Sequence, residues 1–170
     1  LMGKVTVEDN FIGARWSKLT INCAFSGVSA LTGYTFGQIC DDRYARKVAQ
    51  AVLKECFDVA VACGIKPAPV QGHNVAAILG YRGAFKKWLS YHIIPVAMKK
   101  HREIISGMYC DLSAGRPCEI DFINGVAADY GRRVCRPATL NELIVSSVHE
   151  IERGERAITP DNLKIFEKYV

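Results

Sequence analysis

Lys18 and Asn22 stand one helical turn apart in residues 15–33, RWSKLTINCAFSGVSALTG, a stretch otherwise apolar or small on most faces. At 100° per residue, Arg15, Lys18, Asn22, Ser26 and Ser29 fall within one narrow arc, with i, i+4, i+8 spacing from Lys18 onward. Trp16, Leu19, Ile21, Cys23, Ala24, Phe25, Val28, Ala30 and Leu31 surround that arc, the pattern of a helix buried on most sides. A positioned ammonium can give up a proton, stabilise developing negative charge and attract a carboxylate. A nearby amide can donate to a carboxylate or accept from a hydroxyl, and so fix an orientation.

An ammonium removed from water is costly unless it is paired or faces a wet cavity. The stripe therefore predicts a cleft, with Lys18 at its mouth and the Asn22 amide one turn deeper. The same spacing also fits a lysine near the helix start that carries its head to bulk water. Arg15 either adds to anion attraction at the mouth or is a solvated first-turn residue.

The elements that must hold this stripe read as helices. Residues 1–10 alternate weakly, with Val5 and Val7 apolar, and suit a terminal strand or linker; we place a linker, or the end of a preceding domain, at 1–12 and a helical domain at 13–170. Gly33 is placed to end the central helix, Thr35 to cap a short piece through Cys40, and Asp41 or Asp42 to cap a helix reaching Cys63 and stopped by Gly64. Val48, Val52, Phe57 or Val59, and Ala60 recur along that helix at helical spacing. Residues 66–69 and 71–73 are turn formers, and a helical pattern resumes near Asn74. It breaks at Gly80 and Gly83, then runs from Ala84 to about Ser106 with a kink or end predicted at Pro95. Residues 107–117 read as a loop in which Asp111 and Arg116 can pair. Helices follow over about 118–134 and 139–152, and Pro160 opens a last one. No run of β-branched alternation follows residue 10, so the fold expected is all-α, with about seven helices and short connections.

With 170 residues, the chain is long enough for one domain with a proper core. Its net charge of +5 is spread along the chain, which favours anionic ligands weakly and nucleic acid less. The run Lys99, Lys100, His101, Arg102 reads as the solvated end of a helix. Seven cysteines, none in a CxxC, read as reduced thiols of a cytosolic protein, and four scattered histidines lack metal-ligand spacing. No apolar run is long enough to span a membrane and no signal-peptide order opens the chain, so we expect a cytoplasmic protein without membrane or nucleic-acid partners. Leu1 opens within what reads as a continuing sequence, so we expect further sequence upstream.

Trp16-Ser17-Lys18-Leu19-x-x-Asn22, followed by Asp111-x-x-x-Gly115-Arg116-x-x-Glu119-Ile120-Asp121-x-x-Asn124-Gly125, resembles the C-terminal domain of the ketopantoate reductase (2-dehydropantoate 2-reductase) family. The resemblance covers most of the chain, least well over residues 71–100. It implies a helical substrate-binding and dimerisation domain of the 6-phosphogluconate-dehydrogenase-like type. Such a domain follows a Rossmann domain that binds NADPH, with the active site between them and dimers in some members. The activity implied is reduction of 2-dehydropantoate to pantoate, in pantothenate biosynthesis. Lys18 matches the family's proton donor, Asn22 a substrate ligand, and Glu119 a glutamate on the cofactor side. Ser26 stands where the family usually has a second asparagine, and Gly107 where it usually has a serine, with Ser106 beside it. These departures predict a roomier or differently shaped acid pocket, in which Ser26 and Ser106 also touch substrate.

Glu119, near a helix start after Pro117, is also favoured there by the helix dipole alone. Asp121 and Asn124 read as surface or packing residues. Gly33-Tyr34-Thr35-Phe36-Gly37 and Gly80-Tyr81-Arg82-Gly83 are not phosphate loops, because neither follows a strand in a βαβ unit. The dinucleotide site must then come mainly from elsewhere, and this fragment alone is not expected to be active. Two alternatives stay open: a reductase of another bulky 2-oxo acid, and a non-catalytic helical module whose stripe lines a groove.

Overall fold

The computed structural model describes residues 9–70 and 74–170. Among them are eight α-helices, two 3-10 helices and no β-strand, an all-α fold. The strand or linker expected over residues 1–10 falls mostly outside the described residues, as does the turn at 71–73.

The central helix, α1 (Phe11–Thr32), starts where the Asn10 side chain accepts the Gly13 N–H at 3.1 Å. It stops where Gly33 turns left-handed at φ 73°, a conformation that only glycine adopts without strain. Thr35 and Gln38 form a reciprocal capping box that starts α2 (Phe36–Asp41). Asp42 accepts the Tyr44 and Ala45 N–H groups and so starts α3 (Arg43–Ala62), which buries Val48, Val52, Val59 and Ala60. After α4 (Val75–Leu79), α5 (Ala84–Ala97) ends two residues beyond Pro95.

Three expectations differ from the fold observed. The helix expected to reach about Ser106, with a kink or an end at Pro95, ends soon after that proline, at Ala97, and passes into a 3-10 turn, Lys99–His101. Pro95 supplies no N–H to the preceding turn. Beyond it, the carbonyls of Arg102 and Ile104 accept the Gly37 and Phe36 N–H groups at 2.8 and 2.9 Å, so that backbone caps α2 instead of continuing a helix. The expected loop at 107–117 holds a helix, α6 (Gly107–Ser113). Ser106 caps it by accepting the Met108 N–H at 3.1 Å, and Met108 and Leu112, one turn apart, are buried under it. The expected Arg116 and Asp111 pair forms, at 2.7 Å. α7 (Ile120–Arg133) and α8 (Thr139–Glu152) follow, and a 3-10 helix, Pro160–Phe166, stands where a last α-helix was expected.

α1 runs through the middle, packed against α3, α6, α7, α8 and the last 3-10 helix. A buried polar network locks four of these together. Asn124 on α7 donates to the Cys23 carbonyl of α1 at 3.0 Å and to Asn141 Oδ1 of α8 at 2.9 Å. Glu55 on α3 accepts from the Leu140 and Asn141 backbone N–H groups and from Asn141 Nδ2, at 3.0, 3.0 and 2.7 Å. Ala138, the N-cap of α8, offers no side-chain acceptor, so the carboxylate of α3 caps α8 from outside. Burial nonetheless pushes the Glu55 carboxyl above its ordinary value. Gly27 lets α7 approach: a Cβ there would lie 2.9 Å from Asn124 Oδ1.

Replacing Glu55 with Ala strands three donors, and denaturant unfolding should show a loss of about 2–4 kcal/mol. Gln, which keeps an acceptor oxygen, should lose less. Equal losses for the two variants would show that the cap is not what Glu55 contributes.

Candidate active site

Along α1 the polar stripe runs from solvent into the core. Arg15 is exposed, its guanidinium 5.4 Å from the Phe11 ring centroid; Lys18 is exposed, Asn22 and Ser26 are half-buried, and Ser29 is buried. Lys18 and Asn22 line one wall of a half-open cavity of about 530 Å³, the cleft that the spacing predicts. Neither side chain makes a hydrogen bond or an ion pair with any described residue. The opposite walls are apolar and come from Phe36 on α2, Leu53 on α3, Leu79 on α4, and Ile94 and Met98 at the end of α5. Pro69 and Val70 also line the cavity, at the end of a segment tied to the start of α1 by Ser17 Oγ donating to the Ala68 carbonyl at 2.7 Å and Asn10 Nδ2 to the Lys66 carbonyl at 2.8 Å.

The other candidate residues lie outside this lining. Ser26 is one turn past Asn22 and makes no hydrogen bond among the described residues. Ser106 is buried; its hydroxyl accepts the Met108 N–H, and its own N–H donates to Ser29 Oγ at 3.2 Å, so it meets the inner end of the stripe. Glu119 is the exposed N-cap of α7, and its carboxylate caps nothing there. Sequence reasoning missed His101 and Ile104, which line the cavity. His101 belongs to a basic run read as a solvated helix end. Pro95 was the available signal, because a helix ended there lets the following residues fold back over α2.

The start of α7, and with it Glu119, is held by a cluster on α8. Glu152 accepts the Cys118 N–H at 2.9 Å and meets His149 Nδ1 at 2.7 Å, while His149 Nε2 lies 3.1 Å from Asp121 Oδ1. An imidazole can donate to both carboxylates only when protonated. Its hydrogen bond to Glu152, outweighing partial burial, raises the His149 pKa above 6.5. Burial alone would raise Glu152, but the Cys118 N–H and His149 outweigh it and hold the carboxyl below 4.5. No group of three or more His, Cys, Asp or Glu side chains among the described residues could hold a metal ion, and no described helix is long and apolar enough to cross a membrane.

An unpartnered ammonium and amide on one wall of a cavity, at the turns where the sequence motif sets them, leave the question of which proteins share this frame. The model of the family "Ketopantoate reductase PanE/ApbA C terminal" matches residues 10–152. The chain belongs to the ketopantoate reductase family. Among its relatives, the 2-dehydropantoate 2-reductase of Pyrococcus horikoshii is 29% identical over 138 residues, 81% of this chain and 40% of that protein. A crystal structure of a PanE/ApbA family ketopantoate reductase from Ralstonia eutropha superposes with a TM-score of 0.67 at 27% identity, covering 88% of this chain and 44% of that one. A dimeric ketopantoate reductase from Staphylococcus aureus has the same fold, with a TM-score of 0.67 at 19% identity over 90% of this chain and 47% of its own. The chain thus spans less than half the length of these relatives.

The His149 cluster makes a pH prediction. A histidine whose folded pKa is raised contributes stability that is complete below its ordinary value of 6.5 and fades as pH climbs through the raised value. Glu152, held low, contributes above 4.5 and loses that contribution as pH falls through its folded value. The melting-temperature gap between the protein and His149→Gln should be widest near about pH 5.5 and shrink by about pH 9. A gap unchanged across that span would remove the cluster as a support of α7.

Proposed function

We propose that this chain is the helical substrate-binding domain of a reductase that converts a 2-oxo acid to the 2-hydroxy acid, 2-dehydropantoate being the substrate its relatives are named for. The observation that carries this reading is the Lys18–Asn22 pair, one turn apart, unpartnered and facing the same cavity. The relatives' greater length supports a site completed by an N-terminal Rossmann domain holding NADPH, which, when bound, supplies hydride to the carbonyl carbon.

The residues here fit one flank of such a site. Lys18 attracts the substrate carboxylate, stabilises charge developing on the carbonyl oxygen and delivers the proton to it. Asn22 donates to the carboxylate or the carbonyl and holds the acid in register with the ammonium. Ser26 extends the polar track inward. Ser106, whose hydroxyl accepts from Met108, keeps its own O–H to give to substrate. Glu119, whose side chain makes no cap at the start of α7, accepts on this reading from a ribose or carboxamide of the cofactor. The dimeric relative supports a homodimer, and the reaction class supports a cytoplasmic protein.

In the full-length protein, Lys18→Ala should cut kcat by about a hundredfold or more while leaving the Kd for NADPH, read by fluorescence titration, unchanged. Turnover within a few fold of normal would refute the assignment and favour a non-catalytic helical module.

A further inference from the structure

Beyond Lys18 and Asn22, the described residues that wall the cavity offer an occupant almost nothing polar. Among the described residues lining it, only Lys18, Asn22 and His101 have side chains with nitrogen or oxygen, and His101 already has an interaction of its own. The rest are hydrocarbon, aromatic or thioether groups, among them Phe25, Phe36, Leu53, Leu79, Met98 and Ile104.

The far wall is also fixed in place. Phe36 and Ile104, distant in sequence, are joined by the Phe36 N–H donating to the Ile104 carbonyl at 2.9 Å, and the next residue repeats the tie to Arg102 at 2.8 Å. Phe36 is buried, its ring centroid 5.4 Å from that of Phe25. Gly37 lets the two segments meet, since a Cβ there would lie 2.9 Å from the Arg102 carbonyl oxygen. These ties spend the backbone groups of Phe36 N–H, Gly37 N–H and the Arg102 and Ile104 carbonyls on one another. What the wall shows an occupant is side chain, and the side chains are apolar.

We propose that Phe36 and Ile104 are specificity-determining residues that select a 2-oxo acid with a bulky hydrocarbon side chain and no hydroxyl; this rests on the reductase reading above. An acid held by its head on Lys18 and Asn22 has its side chain among these walls. A hydroxyl carried against buried Phe36 and the inner side of partly exposed Ile104 gives up water hydrogen bonds and finds no side-chain partner on that side among the described lining residues. A methyl or methylene in the same place loses nothing and gains contact, a difference worth roughly tenfold or more in kcat/KM per group.

The test uses the full-length protein with NADPH and a matched pair of acids, 2-dehydropantoate and trimethylpyruvate, which share one carbon skeleton and differ by a single hydroxyl. We expect kcat/KM to favour trimethylpyruvate by about tenfold or more, mainly through KM. Ile104→Asn should narrow or reverse that ratio. A preference for 2-dehydropantoate in the unaltered protein would overturn this inference and leave the reductase reading standing, and its loss on His101→Ala would identify the imidazole as the hydroxyl's partner. A ratio untouched by Ile104→Asn would remove Ile104 from the selectivity. Failure to reduce either acid, or any other 2-oxo acid, would instead sink the reductase reading itself.

Discussion

The rotation of α1 about its own axis decides everything the site can do, and it is set by hydrogen bonds on the side of the helix away from the cavity. Asn124 grips the Cys23 carbonyl and Asn141, and Asn141 is gripped in turn by Glu55. Apolar packing alone leaves a largely buried helix free to settle at several rotations, since Leu19, Ile21, Phe25 and Leu31 could exchange neighbours at modest cost. A buried amide cannot exchange, because moving it strands donors and acceptors at about 1–3 kcal/mol each. With the Cys23 carbonyl fixed, Asn22 and Lys18 have one direction left to face.

The same economy of backbone groups shapes the cavity's other side. A helix N-terminus needs acceptors for its first N–H groups. In α2 these come partly from the carbonyls of Arg102 and Ile104, so the chain that returns past the end of α5 is held where it also walls the cavity. Capping and lining are thus one event, and a substitution that loosens one loosens the other.

Much of the helical frame was legible because its signals are local. Gly33, Thr35, Asp42, Gly64 and Pro95 act through backbone conformation or a single hydrogen bond within four residues, and each stops or starts a helix close to where the sequence reading puts it. The stripe from Lys18 to Ser29 was legible for the same reason, as periodicity is a property of one segment. What could not be read depends on distant partners. α6 forms because Met108 and Leu112 find α1 beneath them, and residues 99–104 leave the helix because α2 needs their carbonyls. The cavity's apolar far wall joins residues from four helices and the segment after the 3-10 turn, and no spacing rule connects Phe36 to Ile104. Asn124 was readable as a packing residue, but its role in fixing α1 appears only with Cys23 and Asn141 beside it.

Lys18 sits at the open side of the cavity, and water there limits what its charge can do. An ammonium and a carboxylate about 4 Å apart attract by about 1 kcal/mol in bulk water, but by about 4 kcal/mol at an effective dielectric constant of about 20. The first figure is too small to hold an acid firmly or to favour an alkoxide over a carbonyl. Any body that closes over the mouth, whether the acid's own hydrocarbon tail or a second domain, excludes water and moves the pair toward the second figure. On the proposed reductase reading, the apolar walls and the exposed lysine belong to one design: burial of the acid's tail would supply the free energy of binding, and the dryness it brings would let a single charge act at full strength. On that reasoning the cavity's chemistry and its selectivity cannot be tuned apart, because a polar wall would admit the water that the ammonium must be rid of.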